Sequence, residues 1–451
     1  MKNSSYLSVV FLLSCAVTGF AQVKDVKQLI DAIVKGKPGD TIEISAGIFE
    51  LSGPLALKEK MQIRGAGIGK TIIKAADSWK PGLKDLPQKD NSNAYLFSFE
   101  KASGVKISHM TLTGPNLHGA IYCKGSTGVE FHHLRIESFR WSGIRTFSMK
   151  EFKIHDCEFH NAGGRIKWSG GAMYMHWTRN SEFWNNRITR SGKHPEFYGF
   201  KGRQAIDCRI HHNTIEVNFS IEYPFENDEN VEIDHNVLHG TVSLPKHAGG
   251  KPIKENKHSF HFHHNWSRSS YALEWPRNGT EVDHNLFEFS TQDDVGNLIS
   301  NFSKAPVPGP TRFHNNLVLN PGRGIIWSNS PHNHLYFYNN HIKANTLTRK
   351  DGLFGINAKS DFKTIEIRDN IIECTEKNPR PLLRNEASLK ALIENNKLVN
   401  VSDTDTYKNA ESGKPRGLLK PLKFKCGVNG EYLVDGWKVT PPAKGVQGNE
   451  K

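Results

Sequence analysis

Short runs of the form apolar-x-apolar-x-x-Asn recur along the chain. They include CRIHHN (208–213), VEIDHN (231–236), FHFHHN (260–265), TEVDHN (280–285), TRFHNN (311–316), LYFYNN (335–340), IEIRDN (365–370) and ALIENN (391–396). FWNN adds one more, ending at Asn186, and the closing asparagines fall 20 to 31 residues apart. VKISHM, VEFHHL and FKIHDC keep the frame but end on Met110, Leu134 and Cys157. Alternation with period two predicts a strand in each run, and the asparagine marks a bend. A spacing this variable, without a leucine signature, excludes leucine-rich repeats and fits a right-handed parallel β-helix. An asparagine at a bend satisfies turn backbone with its amide and stacks on its counterpart one coil away. The predicted fold is all-β: a single-domain solenoid with an asparagine ladder.

Both ends depart from this pattern. Asp25 to Val34 (DVKQLIDAIV) has helical periodicity and stops at GKPGD. A short helix near 25–36 would cover the first coil and block edge pairing. Residues 1–21 place Lys2 before an apolar core from Tyr6 to Val17, then the small residues Gly19 and Ala21. This predicts a signal peptide cut before Gln22, too short to span a bilayer as a helix. Lipid attachment at Cys15 is the weaker alternative. The mature protein is thus expected in the periplasm or outside the cell. The β-helix is assigned to 22–402, and 403–451, where Lys, Pro and Gly replace the period, to a C-terminal cap and tail. The remaining cysteines, Cys123, Cys157, Cys208, Cys374 and Cys426, are scattered without a CxxC and predict small buried residues, not a metal site or disulfide framework.

Only 37% of residues are hydrophobic, as expected for a thin solenoid core, and the formal net charge is +13. Such a balance favours a polyanionic partner. Secretion and interspersed acids argue against nucleic acid and for an acidic polysaccharide. No membrane span is expected, and the protein is expected to act as a monomer.

The strands that follow the bends locate a site. Aligning GAIYCKG, SGIRTFS, GAMYMHW, YGFKGRQ, FSIEYPFEND, TVSLPKHAGG and YALEWPRNG gives one outward column. It reads Tyr122, Arg145, Tyr174, Lys201, Glu222, a place near Lys246, and Glu274. The next column contains Lys124, His176 and Arg203, with Glu226, Asn227, His247 and Arg277 at the loop edge. This predicts an open groove of mixed charge with positive excess. On a uronate polymer, β-elimination needs a cation on the C6 carboxylate, a base for the C5 proton and an acid for the departing O4. Tyr174 and Lys201 are the expected proton-transfer pair, order unassigned, with Arg203 and Arg145 on the carboxylate. His176, Glu222, Tyr223, Lys246, His247 and Arg277 are expected to bind substrate. Tyr223 with Lys246 or Lys257 is the rival pair. Glu222 and Glu274, two coils apart, are a weaker pair for hydrolysis. No cofactor is expected, although Glu222, Glu226 and Asn227 offer oxygen ligands for calcium. Most of the 22 histidines precede a ladder asparagine and are expected at the rim, not as metal ligands.

The DHN and HNN coils, the KPGDTIEISAG entry, and FSIEYPFENDENVEIDHNVLHG with TVSLPKHAGG resemble secreted bacterial β-helix polysaccharide lyases over most of 23–400. The likeness is greatest to polysaccharide lyase family 31, alginate lyases acting on mannuronate-rich polymer. That resemblance implies a Tyr and a Lys at the site without an essential metal, which Tyr174 and Lys201 match in type and stacked position. Family 6 lyases, acting on alginate or chondroitin, share the fold and use Lys, Arg and calcium, but their spacing is not intact after Glu222. The epimerase Asp-Pro-His-Glu motif is absent. A non-catalytic β-helix glycan-binding protein is the remaining alternative.

Overall fold

A computed structural model describes residues 22–402 except 82–91, 164–169, 192–197, 223–228, 244–259, 269–272, 275–279, 290–296, 302–306, 322–323, 329–331, 345–352, 357–361 and 386–390; beyond 402 it describes 410–412, 434–435 and 438–439. The helix Val26–Lys35 forms as the sequence predicts. Asp25 is its N-cap and accepts from the Gln28 amide at 2.8 Å. Leu29 and Ile33 are buried against the first coil. The Lys58 ammonium donates to the carbonyls of Val34 and Gly36 at 2.7 and 2.6 Å, satisfying the helix C-terminus.

Each full coil contributes three short strands, for example Thr280–Asp283, Leu286–Glu288 and Asn297–Asn301. Equivalent strands of successive coils pair in parallel, so three sheets run the length of a right-handed β-helix. Inward side chains stack on their counterparts. Phe313 stacks on its strand partner Phe337 at 5.0 Å between ring centres, and Phe287, from the neighbouring sheet, packs on Phe313 at 5.6 Å. Cys123, Cys157, Cys208 and Cys374 are buried free thiols, as their scatter predicts.

The asparagine ladder is continuous from Asn186 to Asn396. The Asn265 amide shows its bonding. Its nitrogen donates to the Asn285 oxygen at 3.1 Å and to the carbonyls of Ile233 and His263 at 2.8 and 2.9 Å. Its oxygen accepts from the backbone and side chain of Asn236 at 3.0 and 2.9 Å. An aspartate supplies only the accepting part of this set and a leucine none of it, so asparagine recurs. The residue before each asparagine bends the chain with a left-handed φ, 54° at His212, His235 and Asn315. Histidine and asparagine tolerate that region better than branched residues. His212, His235, His264 and His284 accordingly stack face to face, 4.9 to 5.2 Å apart. Among the described residues, no helix is long and apolar enough to cross a membrane.

Candidate active site

Five strands build the site: Gly119–Lys124, Ile144–Lys150, Gly171–Trp184, Tyr198–His211 and Asn218–Glu222. Their parallel register places Tyr122, Arg145, Tyr174 and Lys201 in one column. Lys124, Phe147, His176 and Arg203 form the next. To this point the sequence expectation holds.

Beyond Lys201 the expectation fails. The strand partner of Lys201 is Ser220, and Glu222 lies opposite Arg203 instead. A register irregularity between Tyr198 and Phe200 precedes the shift. The first column continues through Ser243, not Lys246, to Glu274. Glu222 and Glu274 therefore belong to different columns, not to one as the sequence alignment had them. Tyr223, Glu226, Asn227, Lys246, His247, Lys257 and Arg277 lie outside the described residues, as do the signal peptide and most of 403–451.

The first column is also not an open groove. Arg145, Tyr174 and Lys201 are 4%, 3% and 1% exposed. Aromatic rings enclose them. The Arg145 guanidinium lies 3.8 Å from the ring centre of Tyr174, 4.1 Å from that of Phe147 and 5.2 Å from that of Trp141. The Lys201 ammonium lies 5.1 Å from the Tyr174 ring and 4.7 Å from the Tyr198 ring. The Arg203 guanidinium is 5.5 Å from the Tyr174 ring. Trp141 meets Tyr174 edge-on at 6.1 Å. Ring faces are electron-rich, so they hold these cations together where burial removes much of the water.

His176 stands between the enclosed column and solvent, half-buried, 4.9 Å from Tyr174 and 5.0 Å from Phe147. Burial pushes its imidazole down to about 2, and the charges of Arg145, Arg203 and Lys201 push the same way. It is neutral at physiological pH, and its buried Nε2 has no hydrogen-bond partner among the described residues. Arg203 is half-buried and Lys124 exposed, so the second column is the accessible side. Trp141, Phe147, Tyr198 and Trp177 were not among the residues expected from sequence. Phe147 did carry a signal, an apolar residue at an outward place in SGIRTFS.

Four groups of histidine and carboxylate ligands occur elsewhere among the described residues, on the ladder-side sheet: His109, His132 and His133; His212, Asp234 and His235; Glu232, Asp234 and His263; and Glu281, Asp283 and His314. His109 lies parallel to His133 within 2°, and His212 to His235 within 3°. Lone pairs of parallel stacked rings point alongside one another instead of converging on an ion. Asp234 and Asp283 are moreover engaged by His235 at 2.7 Å and His284 at 2.6 Å.

The chain matches the family described as "Right handed beta helix region" over residues 95–287. No curated protein sequence matches it. Among solved structures, the tailspike protein of E. coli bacteriophage HK620, in complex with a pentasaccharide, is similar with a TM-score of 0.60 and 12% identity, over 86% of this chain and 76% of that one. An alginate lyase from Paenibacillus sp. str. FPU-7 is similar at a TM-score of 0.41 and 12% identity, over 70% and 99% of the respective chains. A family 28 exopolygalacturonase of Yersinia enterocolitica has a TM-score of 0.43 and 11% identity, over 88% and 76%. At these identities the likeness concerns the fold.

Proposed function

We propose that the protein is a secreted polysaccharide lyase that cuts a uronate-containing polymer, alginate foremost and its mannuronate-rich blocks in particular, by β-elimination. One observation carries this reading: Tyr174 and Lys201 are strand partners on adjoining coils, with Arg145 and Arg203 beside them. In the reaction one of the pair removes the C5 proton, and charge develops on the C6 carboxylate as an enolate. The C4–O4 bond then breaks, O4 takes a proton from the other member, and a C4–C5 double bond remains. Arg203, on the accessible side, is placed to meet the carboxylate in a charge-assisted hydrogen bond. Arg145 is the positioning residue, because its guanidinium is held against the Tyr174 ring. His176, kept neutral with its imidazole pushed far down, is too weak a base to take a proton and remains a hydrogen-bond acceptor. Exclusion of water around Lys201 strengthens every charge interaction made there.

The test is incubation with alginate, mannuronate blocks, guluronate blocks and chondroitin, following the far-ultraviolet absorbance of the unsaturated product. No product from any of these polymers sinks the lyase reading. The burial of both Tyr174 and Lys201 favours a second reading, a non-catalytic glycan-binding β-helix. Affinity for one of these polymers without product would select it. Activity lost in EDTA and restored by calcium would select the family 6 type of chemistry, with Glu222, Glu226 and Asn227 as candidate ligands.

A further inference from the structure

We infer that Trp177 is a carbohydrate-stacking subsite, holding one pyranose ring of the bound polymer beside the Tyr174–Lys201 pair. The inference rests on the polysaccharide reading above. Four large apolar side chains are exposed among the described residues: Ile30, Val34, Ile48 and Trp177. Ile30 and Val34 lie on the N-terminal helix and Ile48 on an early strand. Trp177 alone borders the candidate site, and it is 50% exposed.

Its backbone gives the second observation. Trp177 has a φ of 53°, at a corner where the coils before and after place Ser148 and Gln204, with φ of 53° and 55°. Elsewhere such corners are mostly Asn, Asp, His or Ser, whose small polar side chains tolerate the left-handed region. An indole gains nothing from this conformation, and a residue kept there against its preference is a candidate for function. The corner turns the ring out of the sheet directly after His176. Phe147 and His176 buttress it, with ring centres 6.3 and 5.9 Å away. Ser148 and Gly125, on the two preceding coils, leave its flank low.

The chemistry fits a sugar ring. A pyranose presents a face of C–H bonds to an aromatic face while its hydroxyls stay in water, which suits a half-exposed indole. His176 links Trp177 to Tyr174 in an unbroken row of rings. Exposed Lys124 and half-buried Arg203 flank the row, so a stacked uronate also meets positive charge.

Steady-state kinetics of Trp177→Ala and Trp177→Phe test the subsite on the best polymer. Trp177→Ala should raise KM about tenfold, a loss of about 1.4 kcal/mol in binding. It should leave kcat within about twofold, as loss of uniform binding does. Trp177→Phe should recover most of the KM. An unchanged KM in Trp177→Ala overturns the inference. A second measurement works without turnover. Lys201→Ala protein is titrated with mannuronate, guluronate and galacturonate oligomers while tryptophan emission is followed. A saturable change that disappears in Lys201→Ala/Trp177→Phe supports the subsite, even if wild-type protein releases no unsaturated product and the lyase reading has failed. A change that persists in the double variant, or no change with any oligomer, overturns it.

Discussion

The Lys201 ammonium lies 5.1 Å from the centre of the Tyr174 ring, its strand partner one coil earlier, and only 1% of Lys201 is exposed. A buried amine beside a phenol is an uncommon use of an outward strand position, because lysine is rarely buried fully. Lys201→Ala should lower kcat by about 10²- to 10⁴-fold, the usual contribution of a general acid or base. Far-ultraviolet circular dichroism and the unfolding midpoint would establish that the variant is folded. Full activity in folded Lys201→Ala would remove Lys201 from the mechanism.

Arg145 is held among Tyr174, Phe147 and Trp141. Arg145→Ala should lower stability by about 2 kcal/mol, the scale of a desolvated cation–π contact. It should also lower kcat by releasing Tyr174. Arg145→Lys keeps the charge but loses the planar contact, so it should restore stability only in part. Urea denaturation measures the first effect and product absorbance the second. A variant with unchanged midpoint and kcat would show that the enclosure does not position Tyr174.

The ladder predicts graded costs. Asn265→Ala removes the acceptor of two Asn236 donors and the donor to the carbonyls of Ile233 and His263. The expected loss is about 3 kcal/mol, the upper end for leaving buried polar groups unsatisfied. Asn396→Ala, at the partly exposed end of the ladder, should cost less. Equal midpoints for the two variants in denaturant would contradict a cooperative ladder.

Acid should weaken the fold through the stacked histidines. Burial, then the neighbours His263, His235 and His284, push His264 from 6.5 to about 4, opposed by Asp283. The folded state therefore binds fewer protons there than the unfolded chain. Stability from this group is fully present above 6.5 and is lost as pH falls toward about 4. His261, lowered by burial but raised on balance by its bond to Asp283 and the charges of Asp283, Glu281 and Glu232, works in the opposite direction. His264→Asn, a residue used at the same corner at positions 315, 339 and 395, should flatten the decline. Urea midpoints measured across this range provide the check, and an unchanged slope would exclude His264 as a contributor.

Removal of divalent metal should leave activity unchanged if Tyr174 and Lys201 perform the proton transfers. Product formation after dialysis against EDTA, with and without added calcium, decides between this chemistry and the calcium-dependent alternative.

Periodicity alone revealed the β-helix, the ladder from Asn186 to Asn396, the helix capped by Asp25 and the stacking of Tyr122, Arg145, Tyr174 and Lys201. These follow from local rules: inward and outward alternation, an amide at a bend, and one register carried through strands without irregularity. Glu222 shows where such rules stop. A displacement of two residues preserves the alternation, so no pattern of apolar and polar positions distinguishes Lys201 opposite Ser220 from Lys201 opposite Glu222. Only the paired backbone decides it. Enclosure was decided in the same way. Trp141, Phe147 and Tyr198 come from separate coils, and nothing in their sequence spacing says that their rings close over Arg145 and Lys201. Which residues share a column was written in the chain's period. Which columns meet solvent depended on contacts between coils, and those exist only once the chain is wound.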